Sequence, residues 1–197
     1  MGWLADETGL EKTAANFVPL TPLSFLKRAA AVFPDQEALV YGPVRRSYRE
    51  YAERVSRLAS ALTGIGVTPG DVVATLLPNV PAQAEAHFGV PACGGVLNTI
   101  NVRLDPDTVA YILDHGQARV LLVDPQFIPL AAEALERMEG PAPAVAEAAD
   151  AHAVVHHLGE YHEHEELLAS GGPASDWIMP ADEGAGDAPI YTSGATG

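Results

Sequence analysis

The chain alternates between apolar residues spaced as on a helix face and short runs that are mostly apolar. A first helix is predicted to begin at Pro22, after the N-cap Thr21, and to end at Pro34. A second is predicted after Ser47-x-x-Glu50, a capping box in front of an apolar repeat. Between them, residues 38–48 favour a hairpin of two short strands.

Largely apolar runs follow in the middle of the chain, at 72–77, 96–101 and 119–124. Helical patterns separate them, at about 80–92 and 105–114, and a further helix is predicted from Pro125. Strands that are buried on both faces have this composition, and the strand–helix–strand order is typical of right-handed βαβ units. The pattern therefore predicts an α/β fold with a parallel sheet. On the helix over 80–92, we expect Ala84, His87 and Phe88 to face inward.

Charge and composition exclude several classes of protein. The 197 residues include 11 basic and 26 acidic side chains, a net charge of −15, so a nucleic-acid partner is not expected. No apolar run is long enough to span a membrane, and no signal peptide is recognised at the N-terminus. The single cysteine, Cys93, lies in an apolar run and is expected to be buried and inert. These features predict a cytoplasmic location.

Residues 140–175 differ from the rest of the chain. Acidic side chains are concentrated around them, with thirteen between Glu133 and Asp187 against the single basic residue Arg137. One strand is predicted at 153–155, and five histidines fall between 152 and 164. Their spacing matches no metal-binding motif, so a variable surface segment is the first interpretation and a metal site the alternative. No metal ligand is assigned.

The chain closes on the string Tyr-Thr-Ser-Gly-Ala-Thr-Gly, residues 191–197. Glycine accepts positive φ angles, so backbone N–H groups in such a loop can converge on an anion, and hydroxyls add donors without fixed charge. A surface turn is the alternative interpretation. The residues predicted to bind phosphate are Thr192, Ser193, Gly194, Thr196 and Gly197.

This string resembles the phosphate-binding loop of the adenylate-forming superfamily, which includes acyl-CoA synthetases, luciferases and peptide-synthetase adenylation domains. In that family the string continues into Pro-Lys-Gly, and Ala195 stands where Thr or Ser is usual. Segments 16–26, 38–42, 70–73 and 87–91 are similar to the N-terminal part of acyl-CoA ligases and occur in the family's order. The resemblance is weak between about 140 and 175.

The resemblance implies that the chain is the N-terminal part of an ATP-dependent acyl-CoA ligase, with ATP, Mg²⁺ and CoA as its cofactors and a carboxylic acid as substrate. It implies an arm at 1–16, a segment at 17–65 that packs with later sequence, and a parallel subdomain at 66–197. The apolar faces of Leu23 with Leu26 and of Val55 with Leu58 are then expected to stay partly exposed, which favours self-association.

The family's catalytic residues lie beyond residue 197, so no catalytic acid, base or nucleophile is assigned, and the chain alone is expected to be inactive. Two alternatives stay open at this point. One is a non-catalytic nucleotide-binding or partner-binding module that retains the loop, and the other is a small α/β protein whose glycine-rich end is only a tail.

Overall fold

The computed structural model describes residues 13, 15–148, 162–173, 176–181 and 191. The helices in this part of the chain are α1 (Pro22–Val32), α2 (Tyr48–Gly64), α3 (Pro81–Ala92), α4 (Pro106–His115), α5 (Ile128–Arg137) and α6 (His164–Ser170), with a 3₁₀ turn at Pro125–Phe127. The strands are β1 (Glu37–Tyr41), β2 (Val44–Ser47), β3 (Val72–Leu76), β4 (Val96–Thr99), β5 (Ala118–Val123), β6 (Ala144–Glu147) and β7 (His162–Glu163).

Five strands form a parallel sheet in the order β4-β3-β5-β6-β7, while β1 and β2 form a separate antiparallel hairpin. At the centre of the sheet, Ala74 pairs with Asn98 on one side and with Leu121 on the other. Helices connect β3 to β4, β4 to β5 and β5 to β6. The predicted α/β fold with a parallel βαβ sheet is thereby confirmed.

Local capping signals decide where several helices begin. The Thr21 hydroxyl accepts a hydrogen bond from the Leu23 amide, which satisfies one of the free N–H groups of α1. At α2, Ser47 accepts from the Glu50 amide at 3.3 Å, and the Glu50 carboxylate accepts from the Ser47 amide at 2.7 Å. Asp105 caps α4 through the Thr108 amide. These three starts agree with the sequence prediction.

Two apolar cores lie on the two faces of the sheet. Helices α1, α2 and α3 cover one face, where Leu58 and Leu62 pack with Val73, Leu97 and Val120. Helices α4 and α5 cover the other face, around Leu76, Leu113 and Leu121. Burying each such side chain stabilises the fold by about 1.5–3 kcal/mol relative to leaving it exposed. The early helices are therefore part of the same packed unit as the sheet.

The expected exposure of the early apolar faces is wrong. Leu23 and Leu26 are 1% and 3% exposed, and Val55 and Leu58 are fully buried. The physical reason is the close approach of α2 to α3 at Gly89, where an added Cβ would lie 2.7 Å from Leu58 Cδ2. Among the described residues, the large apolar side chains that are exposed are Val18, Leu20, Phe25, Val32, Phe33, Val40, Tyr111, Ile178 and Met179.

Helix α3 also differs from its prediction. His87 is exposed, and its Nδ1 lies 2.7 Å from the carbonyl oxygen of Gln83. The buried face of α3 instead contains Glu85, which is fully buried together with Ala86 and Val90. Strand β6 was not predicted, and the predicted strand at 153–155 and most of the arm at 1–16 lie outside the described residues.

Candidate functional site

The five residues predicted to bind phosphate, 192–194, 196 and 197, lie outside the described part of the chain. The residue directly before them, Tyr191, is described, and so are two segments that precede it, 162–173 and 176–181. The geometry of the candidate site therefore consists of what holds Tyr191 and what holds these preceding segments against the sheet.

Tyr191 is fixed against the C-terminal end of α4. Its hydroxyl oxygen lies 2.8 Å from Nδ1 of His115, the last residue of that helix. The two rings meet edge to face with centroids 5.7 Å apart, and Tyr111 stacks on the same imidazole at 5.5 Å. Burial raises the pKa of the Tyr191 phenol, and Tyr111 adds to the effect. Tyr191 is half-buried, and it is held by two exposed aromatic side chains, Tyr111 and His115, on the last turns of α4.

The space around the Tyr191 hydroxyl is narrow. Gly116 follows His115, and a Cβ added there would lie 2.8 Å from the Ile112 carbonyl oxygen, 3.0 Å from Asn98 Nδ2 and 3.4 Å from the Tyr191 hydroxyl. Asn98 is fully buried on strand β4, and its side-chain amide finds no hydrogen-bond partner among the described residues. A buried amide of this kind is costly to leave unpaired. A glycine at position 116 therefore leaves room beside the Tyr191 hydroxyl that a larger residue would fill.

A buried ionic cluster holds the segment that begins at β7. Glu85 of α3 accepts hydrogen bonds from Arg46, from Arg54 at 2.5 and 3.1 Å, and from Nε2 of His164 at 3.1 Å. His164, which opens α6, is 3% exposed. Arg54 also donates two hydrogen bonds to Glu165, at 2.5 and 2.9 Å. The cluster joins α6 to helices α2 and α3.

Glu85 remains ionised inside this cluster. Burial alone would raise its pKa, but hydrogen bonds from His164 and Arg54 and the charge of Arg54 hold the pKa below the usual glutamate value. Glu165, which is more exposed, also has a lowered pKa because Arg54 donates to it. A carboxylate at the centre of three cationic or hydrogen-bonding side chains is the arrangement that a buried charge requires.

Further contacts attach the next residues to α2 and α3. The backbone of Gly171 packs directly on α2, and the Gly172 amide donates to Ser60 at 3.0 Å. The indole of Trp177 donates to the Ser56 hydroxyl at 2.8 Å, and the Ile178 amide donates to the Ala92 carbonyl at 2.8 Å. Residues 164–173 and 176–178 are therefore held along one face of the sheet, whereas Tyr191 lies against α4 on the other face.

An apolar groove of about 630 Å³ lies between the β1–β2 hairpin and α3. Tyr51 and Phe88, whose rings meet edge to face at 5.8 Å, form part of its wall, and the exposed Val40 lies on its rim. His87 also lines this groove. Apolar side chains form most of its wall.

The described residues contain neither a candidate metal site nor an exposed cysteine. No group of three or more His, Cys, Asp or Glu side chains there could hold a metal ion, and His152, His156 and His157 lie outside them. Cys93 is buried, as expected, and its thiol donates to the Val90 carbonyl; burial raises the pKa of that thiol. Among the helices that the structure describes, none is long and apolar enough to cross a bilayer.

Sequence reasoning missed the residues that hold the site. His115 directly follows the helix predicted over 105–114 and was given no role, yet it meets Tyr191 across 76 positions of sequence. Glu85 was not singled out, although it gathers partners from three other parts of the chain. Both contacts join residues that are distant in sequence, so the local pattern contains no signal for them.

The fold and this geometry define a class: an α/β protein with a parallel sheet, in which an anchored tyrosine precedes a glycine and hydroxyl string. The family of AMP-binding enzymes matches residues 26–197, and the chain belongs to that family. The resemblance seen in the sequence is thereby confirmed.

The similarity extends along nearly the whole chain. This chain is 42% identical to the peroxisomal acetate/butyrate–CoA ligase of Arabidopsis thaliana, over 97% of this chain and 36% of that protein. It is 38% identical to the acetate–CoA ligase of Humulus lupulus, with the same shares covered. A long-chain-fatty-acid–CoA ligase from Archaeoglobus fulgidus has the same fold, with a TM-score of 0.73 at 20% identity over 91% of this chain and 37% of that one. The chain thus spans about a third of the length of these relatives.

Proposed function

We propose that this chain supplies the phosphate-binding part of an ATP-dependent acyl-CoA ligase. In the proposed reaction, the carboxylate of an acid attacks the α-phosphorus of ATP, and the bond to the bridging oxygen breaks to release pyrophosphate. The thiolate of CoA then attacks the acyl carbon of the acyl-adenylate, and AMP leaves. The observation that carries the proposal is the family match, which runs through residue 197 and so includes the string at 191–197.

The proposed task of this part is to hold the β- and γ-phosphates so that pyrophosphate can leave in line. Thr192, Ser193 and Thr196 supply hydroxyl donors, and Gly194 and Gly197 let backbone amides converge. Such chemistry depends on positioning and on stabilising charge, which suits a loop with no ionisable side chain. Mg²⁺ would accompany the phosphates of ATP, and none of the described side chains is assigned to it.

The acid is proposed to be a short-chain carboxylic acid, because the two relatives above are named for acetate and butyrate. The ligase family weakens the alternative of an unrelated α/β protein with a glycine-rich tail. A non-catalytic module that only binds nucleotide remains the second candidate. The cytoplasmic location stays a prediction from the sequence.

We expect the 197-residue chain to bind inorganic tripolyphosphate, measured by calorimetry, but to catalyse no acid-dependent exchange of pyrophosphate into ATP. Ser193→Ala and Thr196→Val should each weaken binding about fivefold, the effect of losing one hydrogen bond of about 1 kcal/mol. Thr63→Val is the matched control, because that hydroxyl only bonds the Ala59 carbonyl on α2. Equal binding by all variants would refute the assignment of residues 193 and 196.

A second measurement separates the ligase from the non-catalytic module. The codons that follow residue 197 are expected to encode Pro-Lys-Gly, and the complete polypeptide is expected to exchange pyrophosphate in the presence of acetate or butyrate. Binding of tripolyphosphate by a complete polypeptide that exchanges with no acid in a panel of short, long and aromatic acids would favour the module instead.

Self-association is the remaining proposal about partners. Phe25 and Val40 are 60% and 58% exposed, and the groove beside the hairpin is apolar, which supports association between copies at high concentration. Sedimentation velocity is expected to show a concentration-dependent increase in mass. Val40→Lys should reduce it, and a single monomeric species at all concentrations of the wild-type chain would contradict the proposal.

A further inference from the structure

The contact between His115 and Tyr191 is the described link between the sheet and the residue next to the phosphate-binding string. Residue 192 is bonded to residue 191, so whatever fixes the Tyr191 side chain also restricts where residues 192–197 begin. The hydroxyl of Tyr191 has a directional partner, the His115 imidazole at 2.8 Å, and the ring packs edge-on against it. This is more than general apolar packing would supply.

The imidazole itself is held in place. It belongs to the last residue of α4, a helix whose residues Val109, Ile112 and Leu113 are buried in the core beneath it. Tyr111 stacks on one side of the ring, with an angle of 26° between the ring planes. The ring is otherwise exposed to solvent, so its contacts with Tyr111 and Tyr191 are the ones that orient it. A ring supported in this way can transmit its position to Tyr191.

We infer that His115 is a positioning residue for phosphate binding, acting through its hydrogen bond to the Tyr191 hydroxyl. This inference rests on the proposed role of residues 192–197 and names the residue that orients them. His115 contacts no reacting atom. Its effect is to remove alternative positions of Tyr191 before phosphate binds, so that less conformational freedom is lost on binding.

Single substitutions at Tyr191 and His115 test this inference, and a substitution at Tyr111 provides a matched control. Tyr191→Phe removes only the hydroxyl, and His115→Phe removes both ring nitrogens while retaining an aromatic ring, although a larger one. His115→Asn restores a hydrogen-bonding atom near the place of Nδ1. Tyr111→Phe is the control, because it removes a hydroxyl from the same aromatic stack without touching the bond between His115 and Tyr191.

The first measurement needs no ligand. In the labelled 197-residue chain, Tyr191→Phe and His115→Phe are expected to shift the backbone amide signals of residues 192–197 in the same direction. The double variant should shift them no further, since both changes remove one bond. His115→Asn should remain nearer to the wild-type spectrum, and Tyr111→Phe should match it.

The His115 ring provides a readout that does not require replacing it. Its Nδ1 resonance in the wild-type chain should change in Tyr191→Phe, which retains the ring and the core contacts of residue 191. An unchanged Nδ1 resonance, or amide shifts of the two single variants that simply add in the double, would overturn the inference even if His115→Phe fails to fold.

The second measurement is titration with inorganic tripolyphosphate, followed at the amides of Gly194 and Gly197. Loss of the bond should weaken binding about fivefold in Tyr191→Phe and in His115→Phe, with partial recovery in His115→Asn. If the wild-type chain shows no titration at these two amides, the proposed phosphate-binding function fails. The ligand-free shifts then still decide the positioning role by themselves.

Discussion

The substitution Glu85→Gln is expected to lower the free energy of unfolding by about 3–5 kcal/mol, as is typical when one member of a buried ionic cluster is removed. Glutamine preserves the shape of the side chain but leaves Arg46, Arg54 and His164 without the carboxylate that compensates them. Glu85 is fully buried, so water cannot replace the lost charge. Urea unfolding at pH 7, followed by circular dichroism, measures the change.

Glu165→Gln is the matched control. It removes a carboxylate that also bonds Arg54, but the Glu165 side chain is 56% exposed and solvent screens the interaction. We expect this change to cost less than about 1 kcal/mol. Similar costs for the two substitutions would mean that burial does not decide the contribution of Glu85, and that the cluster is no more than a set of surface ion pairs.

The effect of Glu85→Gln on the free energy of unfolding is expected to depend on pH. The folded-state pKa of Glu85 is lowered, so its ionised form stabilises the protein fully above the unfolded value, about 4.3. That stabilisation is lost as the pH falls through the folded pKa. A protonated Glu85 resembles glutamine, so the difference in unfolding free energy between wild type and Glu85→Gln should narrow below about pH 4.3. A difference that stays constant down to pH 3 would contradict the assignment.

The fold could be predicted where the determining signals are local. The capping box of Ser47 with Glu50 and the caps Thr21 and Asp105 each depend on residues two or three positions apart, and the structure shows all three. The strands β3, β4 and β5 are apolar runs because helices cover both faces of the sheet. A sequence pattern suffices for such features.

Prediction failed where the composition of a segment does not indicate which side of a helix is buried or whether a strand forms. Helix α3 is rich in alanine, so its apolar positions do not distinguish an inward side from an outward side, and a glutamate was not expected inside. Strand β6 lies in an alanine-rich and proline-rich stretch, and it is held by pairing with β5 instead of by its own β-propensity. In both cases, contacts with other parts of the chain determine the local structure.

The candidate site also has a part that could be predicted from the sequence and a part that could not. The glycine and hydroxyl string at 191–197 could be proposed from the sequence as a phosphate loop, because such a loop needs those residue types next to one another. The elements that hold it could not be predicted, because His115 and Tyr191 are 76 positions apart. The early apolar faces were expected to await partners from later sequence, yet α3 and the sheet already bury them.

Gly171→Ala is expected to detach the segment that precedes the site, at a cost of about 1–3 kcal/mol. An added Cβ would overlap the Arg57 backbone carbonyl oxygen and lie 3.1 Å from the Ala61 amide nitrogen. These are backbone atoms of α2, which cannot move aside as a side chain can. Gly172→Ala is the control, because its Cβ would meet only the Ser60 hydroxyl, at the ordinary contact distance of 3.7 Å.

Trp177 reports on this detachment, since its indole bonds Ser56 on the same helix. In a Trp3→Phe background, its fluorescence should shift to longer wavelength in Gly171→Ala and stay unchanged in Gly172→Ala. The urea midpoint should fall in the first variant only. Because Gly171 lies between α6 and Trp177, a shifted emission together with a lowered midpoint would show that the close contact with α2 holds this whole segment in place. Wild-type behaviour of Gly171→Ala in both measurements would mean that the segment does not depend on that contact.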